Sequence, residues 1–156
     1  MAQSDLNELL GTLALTPELI ARSIADLSEM QIRERKVPNE FSVVENVCHL
    51  RDLEVEAYTV RIDRILSEEN PTLLDFDGTQ VAAERDYNRQ DPAAALAAFS
   101  EARKQNIARV SALEAHSLAR TGMFEGVGII TLQDLLQMMR EHDEGHLRDL
   151  ENLVNK

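Results

Sequence analysis

Near the C-terminus, His142 and His146 stand four residues apart in the run Arg140-Glu141-His142-Asp143-Glu144-Gly145-His146-Leu147. On a helix that spacing puts both imidazoles on one face. The apolar frame through Leu132, Leu135, Met139 and Leu153 also passes through both histidines, with Asp149 out of pattern, so the rings take positions where core leucines belong. A neutral imidazole suits borderline divalent metals, and an i,i+4 pair can give two nitrogens to one ion. A buried hydrogen-bonded contact or a solvated turn would use the same pair, and a third ligand separates these readings. The segment is not the HExxH of zinc proteases, because Asp143 follows the first histidine and Glu144 lies about 160° from His146 around a helix.

Four long helices are expected to carry these groups. Ser4 caps a short helix of about residues 5–14, and Thr16-Pro17-Glu18 then makes a fresh start, with Thr as N-cap, Pro in the first turn and an acid at the positive end. That first long helix runs over about 17–35. Pro38-Asn39 breaks the chain, and the capping box Ser42-Val43-Val44-Glu45 opens a second helix of about 42–68. This helix is apolar around most of its circumference. Its one polar strip holds Glu45, His49, Asp52, Glu56 and Asp63, read either as a solvated face or as the lining of a polar pocket. In the second case His49 adds a third nitrogen, and Asp52 could orient a ring or a water.

Residues 69–90 form a long crossover with turn signals at Asn70-Pro71 and Asp77-Gly78 and a short helical piece around Val81–Tyr87. Asp91-Pro92 starts a third helix of about 92–114, with His116 exposed beyond its end. After a glycine-bearing loop, Thr131-Leu132-Gln133-Asp134 opens a fourth helix of about 132–154. Val127-Gly128-Ile129-Ile130 is too short and interrupted to outweigh four helices, so the fold class is all-α and the chain, 1–156, one domain.

Composition narrows the partners. A formal charge of −12, from 28 acidic and 16 basic residues, argues against a phosphate-tracking surface, so nucleic acid is not an expected partner. No long apolar run and no basic leader is present, which points away from membrane and export and toward the cytoplasm. The single cysteine, Cys48, agrees and is expected to fill core space.

Phe41-Ser42-Val43-Val44-Glu45-Asn46-Val47-Cys48-His49-Leu50-Arg51-Asp52-Leu53-Glu54, then Arg61, then Thr131-Leu132 leading into His142-Asp143-x-x-His146-Leu147, resemble in order and spacing the DinB-like (DinB/YfiT) family of metalloenzymes. The resemblance covers about residues 16–153. It implies a four-helix bundle of up-down-down-up topology with long crossover loops, often a homodimer, with His49, His142 and His146 around a divalent metal, nickel or zinc. It also implies a small-molecule substrate, with a low-molecular-weight thiol as cofactor in some members. Three neutral imidazoles leave the ion its +2 charge, enough to activate water for a hydrolase or a thiol for an S-transferase. Asp52 and Asp143 are the candidate orienting or proton-handling groups, or else surface charges paired with Arg51 and Arg148. The competing reading is a non-catalytic interaction bundle with a structural metal or a buried histidine network.

Overall fold

The structure is a computed structural model describing residues 3–155. Its frame is four long helical stretches: α1 (Gln3–Ile24), α3 (Val43–Asp52) continuing through a π-helical stretch (Leu53–Tyr58) into α4 (Thr59–Ser67), α6 (Pro92–Ser111) and α7 (Leu132–Val154). Short α2 (Glu29–Arg33) and α5 (Gly78–Glu84) lie in the connections. The caps act locally: Ser42 and Thr131 each close a capping box, and Asp91 accepts from the Ala93 and Ala94 amides ahead of Pro92.

Contacts along the stretches set their directions. Arg103 meets Glu54, and six residues on Arg109 meets Asp63, so α6 runs parallel to α3–α4. Asn46 meets His146 while His49 meets His142, so α3 runs antiparallel to α7. Early α1 (Leu6, Leu13) shares a core cluster with early α7 (Leu132, Leu135) and Ile20 shares one with Leu150, so α1 runs parallel to α7 and the bundle is up-down-down-up, with early α3 and late α7 facing each other. No helix among the described residues is long and apolar enough to cross a membrane.

Thr16-Pro17 does not start a helix; α1 runs straight through it. Proline lacks the N–H that would bond the carbonyl four residues back, normally a costly loss. Here Arg103 Nη1 donates to that freed Leu13 carbonyl at 2.9 Å, and Thr16 uses its hydroxyl on Asp143 rather than as a cap. The helix ends instead at Ile24, and Ser28 caps the separate α2.

A small sheet forms as well. The crossover contributes β1 (Thr72–Leu73), parallel to β2 (Thr121–Phe124), which pairs antiparallel with β3 (Gly128–Thr131) in the register Gly122↔Ile130. These strands are short, and they hold because Leu73, Phe124 and Ile130 turn inward onto the apolar core, leaving Met123 and Ile129 outside. The broadly apolar second stretch buries most of its surface within the bundle, apart from Val55 and Val60.

The core has two apolar clusters, one around Leu13, Ile62 and Leu135 and one around Ile20, Val47 and Phe99. Between them lies a polar layer of Thr16, Glu54, Arg103 and Asp143, one residue from each long stretch.

Candidate metal centre

His49 projects from the second turn of α3, and His142 and His146 from successive turns of α7. The three rings meet. His142 Nε2 lies 3.2 Å from His49 Nε2 and 3.1 Å from His146 Nε2, and the set of ligand atoms spans no more than 4.8 Å. Two nitrogens each ~2.1 Å from one ion stand roughly 3.0–3.4 Å apart for right-angled to tetrahedral geometry, so the spacing fits a shared cation.

Hydrogen bonding alone does not account for this cluster. His146 Nδ1 donates to Asn46 Oδ1 at 2.6 Å, and Asn46 is itself held by Nδ2 donating to the Ser42 carbonyl at 2.9 Å. The proton of His146 therefore sits on Nδ1 and its Nε2 is a bare lone pair. A proton on His142 Nε2 can serve only one of its two neighbours well, and a bare Nε2 there would face the bare Nε2 of His146. The Nδ1 atoms of His49 and His142 are buried without a partner among the described residues.

Burial, reinforced by the neighbouring rings, pushes the His49 and His142 imidazoles down to about 3, with Arg103 also opposing charge on His142. Burial lowers His146 too, against the pull of Asp149 and Asp143. All three are neutral at pH 7, with lone pairs available to a cation. Phe41 and Phe76 stand 5.4 and 6.2 Å from the His49 ring, and Tyr58 meets the His142 ring edge-on at 6.3 Å. His146 opens onto a cleft of about 550 Å³ whose walls include Asn39, Phe41, Thr79, Asp149 and Asn152.

The family model of the DinB superfamily matches residues 12–150. The chain belongs to that superfamily. A solved structure of YfiT from Bacillus subtilis, described as a probable metal-dependent hydrolase with an unusual four-helix bundle topology, matches this DinB protein with a TM-score of 0.91 and 20% identity, covering 98% of this chain and 87% of that one. No curated protein sequence matches it.

Within this DinB-superfamily bundle the two candidate carboxylates sit apart from the rings. Asp52 accepts from Arg51 Nε at 2.6 Å, Arg85 Nη1 at 2.8 Å and the Tyr87 hydroxyl at 2.6 Å, and takes no bond from His49. The rest of the strip is likewise occupied by arginines: Glu45 by Arg35, Glu56 by Arg85, Asp63 by Arg109. Only His49 of the strip joins the site. Asp143 is neither a surface charge nor a partner of Arg148; it is buried, accepting from Thr16 Oγ1 at 2.7 Å and from both terminal nitrogens of Arg103. His116 is exposed beside Glu114, and Cys48 is buried, its thiol pushed up to about 11 by burial. Sequence reasoning passed over Asn46 as an orienting group, although it stands one helical turn before His49, and an amide buried there needs a hydrogen-bond partner. It also passed over Arg103 and Glu54, whose pairing spans two helices and leaves no local signature.

Proposed function

We propose that this chain is a metal-dependent enzyme acting on a small molecule, with His49, His142 and His146 holding one divalent cation. The observation that carries the reading is the convergence of three neutral Nε2 atoms at 3.1–3.2 Å with too few protons among them to satisfy one another. Zinc and nickel both accept three imidazoles. When bound, such an ion would supply Lewis acidity, lowering the pKa of a coordinated water to ~7.

The chain's own residues do the rest. Asn46 fixes the His146 tautomer so that Nε2 faces inward, as orienting partners of metal ligands generally do. Phe41 and Phe76 shield the His49 side from water. The cleft at His146 gives a small substrate its approach. Hydrolysis is the favoured reaction class, supported by the description of the similar Bacillus subtilis structure as a probable metal-dependent hydrolase.

Metal analysis of purified protein beside His49→Ala and His142→Ala variants tests the ligand set. The expected result is one divalent ion per chain, lost in each variant; equal metal content in all three would overturn it. Loaded protein is then offered activated esters and amides with and without small thiols. Hydrolysis without thiol supports the proposal, whereas turnover only with thiol would make the chain a transferase.

A further inference from the structure

The crossover places α5 against the back of the site. Asp77 caps this helix by accepting from the Gln80 amide at 3.0 Å, and Gly78 follows as its first residue. A Cβ built on Gly78 would stand 2.5 Å from His49 Nδ1 and closer still to Cε1. Real Cβ contacts are not that short, so a side chain at 78 requires the ring to move. The ring has little room. Phe41 and Phe76 flank it, and His142 and His146 lie in front, with ring centroids 5.3 and 4.9 Å away.

We infer that Gly78 is a positioning residue of the trihistidine site: the lack of a side chain there lets the His49 imidazole lie with Nε2 facing His142. The backbone does not demand glycine. Gly78 has no positive φ, unlike Gly126 and Gly128, and it begins an ordinary helix, where alanine is normally the better residue. The requirement comes from the space the imidazole occupies. Gly78 thus links the crossover to the ligand set, and adjoining Thr79 lines the cleft.

The metal part of this inference rests on the proposed three-ligand site, so the test has two arms. In the first, cobalt(II) is titrated into wild type and Gly78→Ala and followed by visible absorption. The variant should bind at least tenfold more weakly, with an altered spectrum; wild-type affinity and spectrum in the variant would overturn the inference. In the second, melting temperatures are measured in chelator for wild type, Gly78→Ala, His49→Ala and the double variant. Gly78→Ala should lower Tm when His49 is present and leave it equal or raised when the ring is gone. An undiminished loss in the His49→Ala background would place the clash elsewhere and overturn the inference. Should wild type bind no cobalt, the metal reading fails while the melting comparison still decides Gly78. If Gly78→Ala alone does not fold, recovery of folding in the double variant supports the inference, and continued failure of the double variant counts against it.

Discussion

His142 and Asp143 are neighbours on α7, yet the buried polar clusters they join are completed to different degrees. On the Asp143 side, Arg103 spreads four N–H donors over Asp143, Glu54 and the Leu13 carbonyl, leaving only Nε without a partner among the described residues. Thr16 adds a donor to Asp143, and Asn106 one to Glu54 at 2.8 Å. Charges of both signs and their donors close on themselves. On the His142 side, three Nε2 atoms converge with at least one of them a bare lone pair, and two Nδ1 atoms have no partner among the described residues. A buried network that serves only the fold tends to satisfy its members, because a half-satisfied one is worse than an apolar core. The Arg103 cluster has the first character and the histidine cluster the second, which is why the proposed cation is assigned to the histidines and not to the carboxylates one residue further on.

Acid should separate the two regions most strongly. His49 and His142 have an ordinary value of 6.5 and titrate at about 3 when folded, so the unfolded chain takes up protons that the folded one refuses. Stability contributed by the neutral rings is therefore complete above pH 6.5 and lost as pH falls toward 3. The slope is up to about 1.4 kcal/mol per pH unit for each ring, or roughly 5 kcal/mol for the two between pH 6.5 and 4.5. The depressed carboxylates Glu45 and Asp52 start from 4.5 and 3.8 and add their loss below that window. Urea denaturation in chelator should show this slope in wild type and a much shallower one over pH 6.5–4.5 in the His49→Ala/His142→Ala double variant, where His146 is the remaining imidazole lowered by burial. Equal slopes in the two proteins would assign the acid sensitivity to some other group.

Next in size is removal of Arg103. Arg103→Met keeps much of the volume but leaves Glu54 and Asp143 buried without their shared cation and Leu13 O without a donor, at a cost of about 3–5 kcal/mol. Denaturation at pH 7 measures it, and adding Glu54→Gln and Asp143→Asn should return part of the loss. Thr16→Val, which removes a single neutral donor while Arg103 still holds Asp143, should cost only about 1–2 kcal/mol by the same measurement. A Thr16→Val effect as large as that of Arg103→Met would mean the network depends on its hydroxyl rather than its charge.

Legibility in the sequence divides along the same line. Where the signal is local, it reads well: Thr131 and Asp134 box the start of α7, and its span of Leu132–Val154 follows from pattern and cap alone. Thr16-Pro17 misleads because its local message is overridden by an arginine ninety residues away that satisfies the freed carbonyl. The strands read poorly because two to four residues carry little periodicity: Val127-Gly128-Ile129-Ile130 shows a strand signal too short to outweigh the helices, and β1 finds its partner in β2 far along the chain, Thr72 opposite Met123. His142 and His146 announce themselves by spacing. His49 faces them only through the antiparallel run of α3 against α7, which one sequence read by pattern does not contain and which the family resemblance supplied. Asp52 stands one turn beyond His49 and invites a role beside it, but its second oxygen is taken by Arg85 and Tyr87 from the crossover, contacts invisible along one helix.

The smallest effect tests the comparison most directly. In chelator at pH 7, His142→Ala removes the ring whose Nε2 faces two others, and with it an unpartnered Nδ1. Burial of the imidazole is lost, but so is a set of contacts that cannot all be hydrogen bonds; replacing groups that are poorly paired is close to neutral, unlike stranding groups that are well paired. The expected change in unfolding free energy is within about 1 kcal/mol. Saturating zinc should then stabilise wild type, by ~2.7 kcal/mol at one hundred times the dissociation constant, and leave His142→Ala unmoved. A metal-free loss as large as that of Arg103→Met would show that the histidines are a structural network like their neighbour, and the distinction between the two clusters would fall.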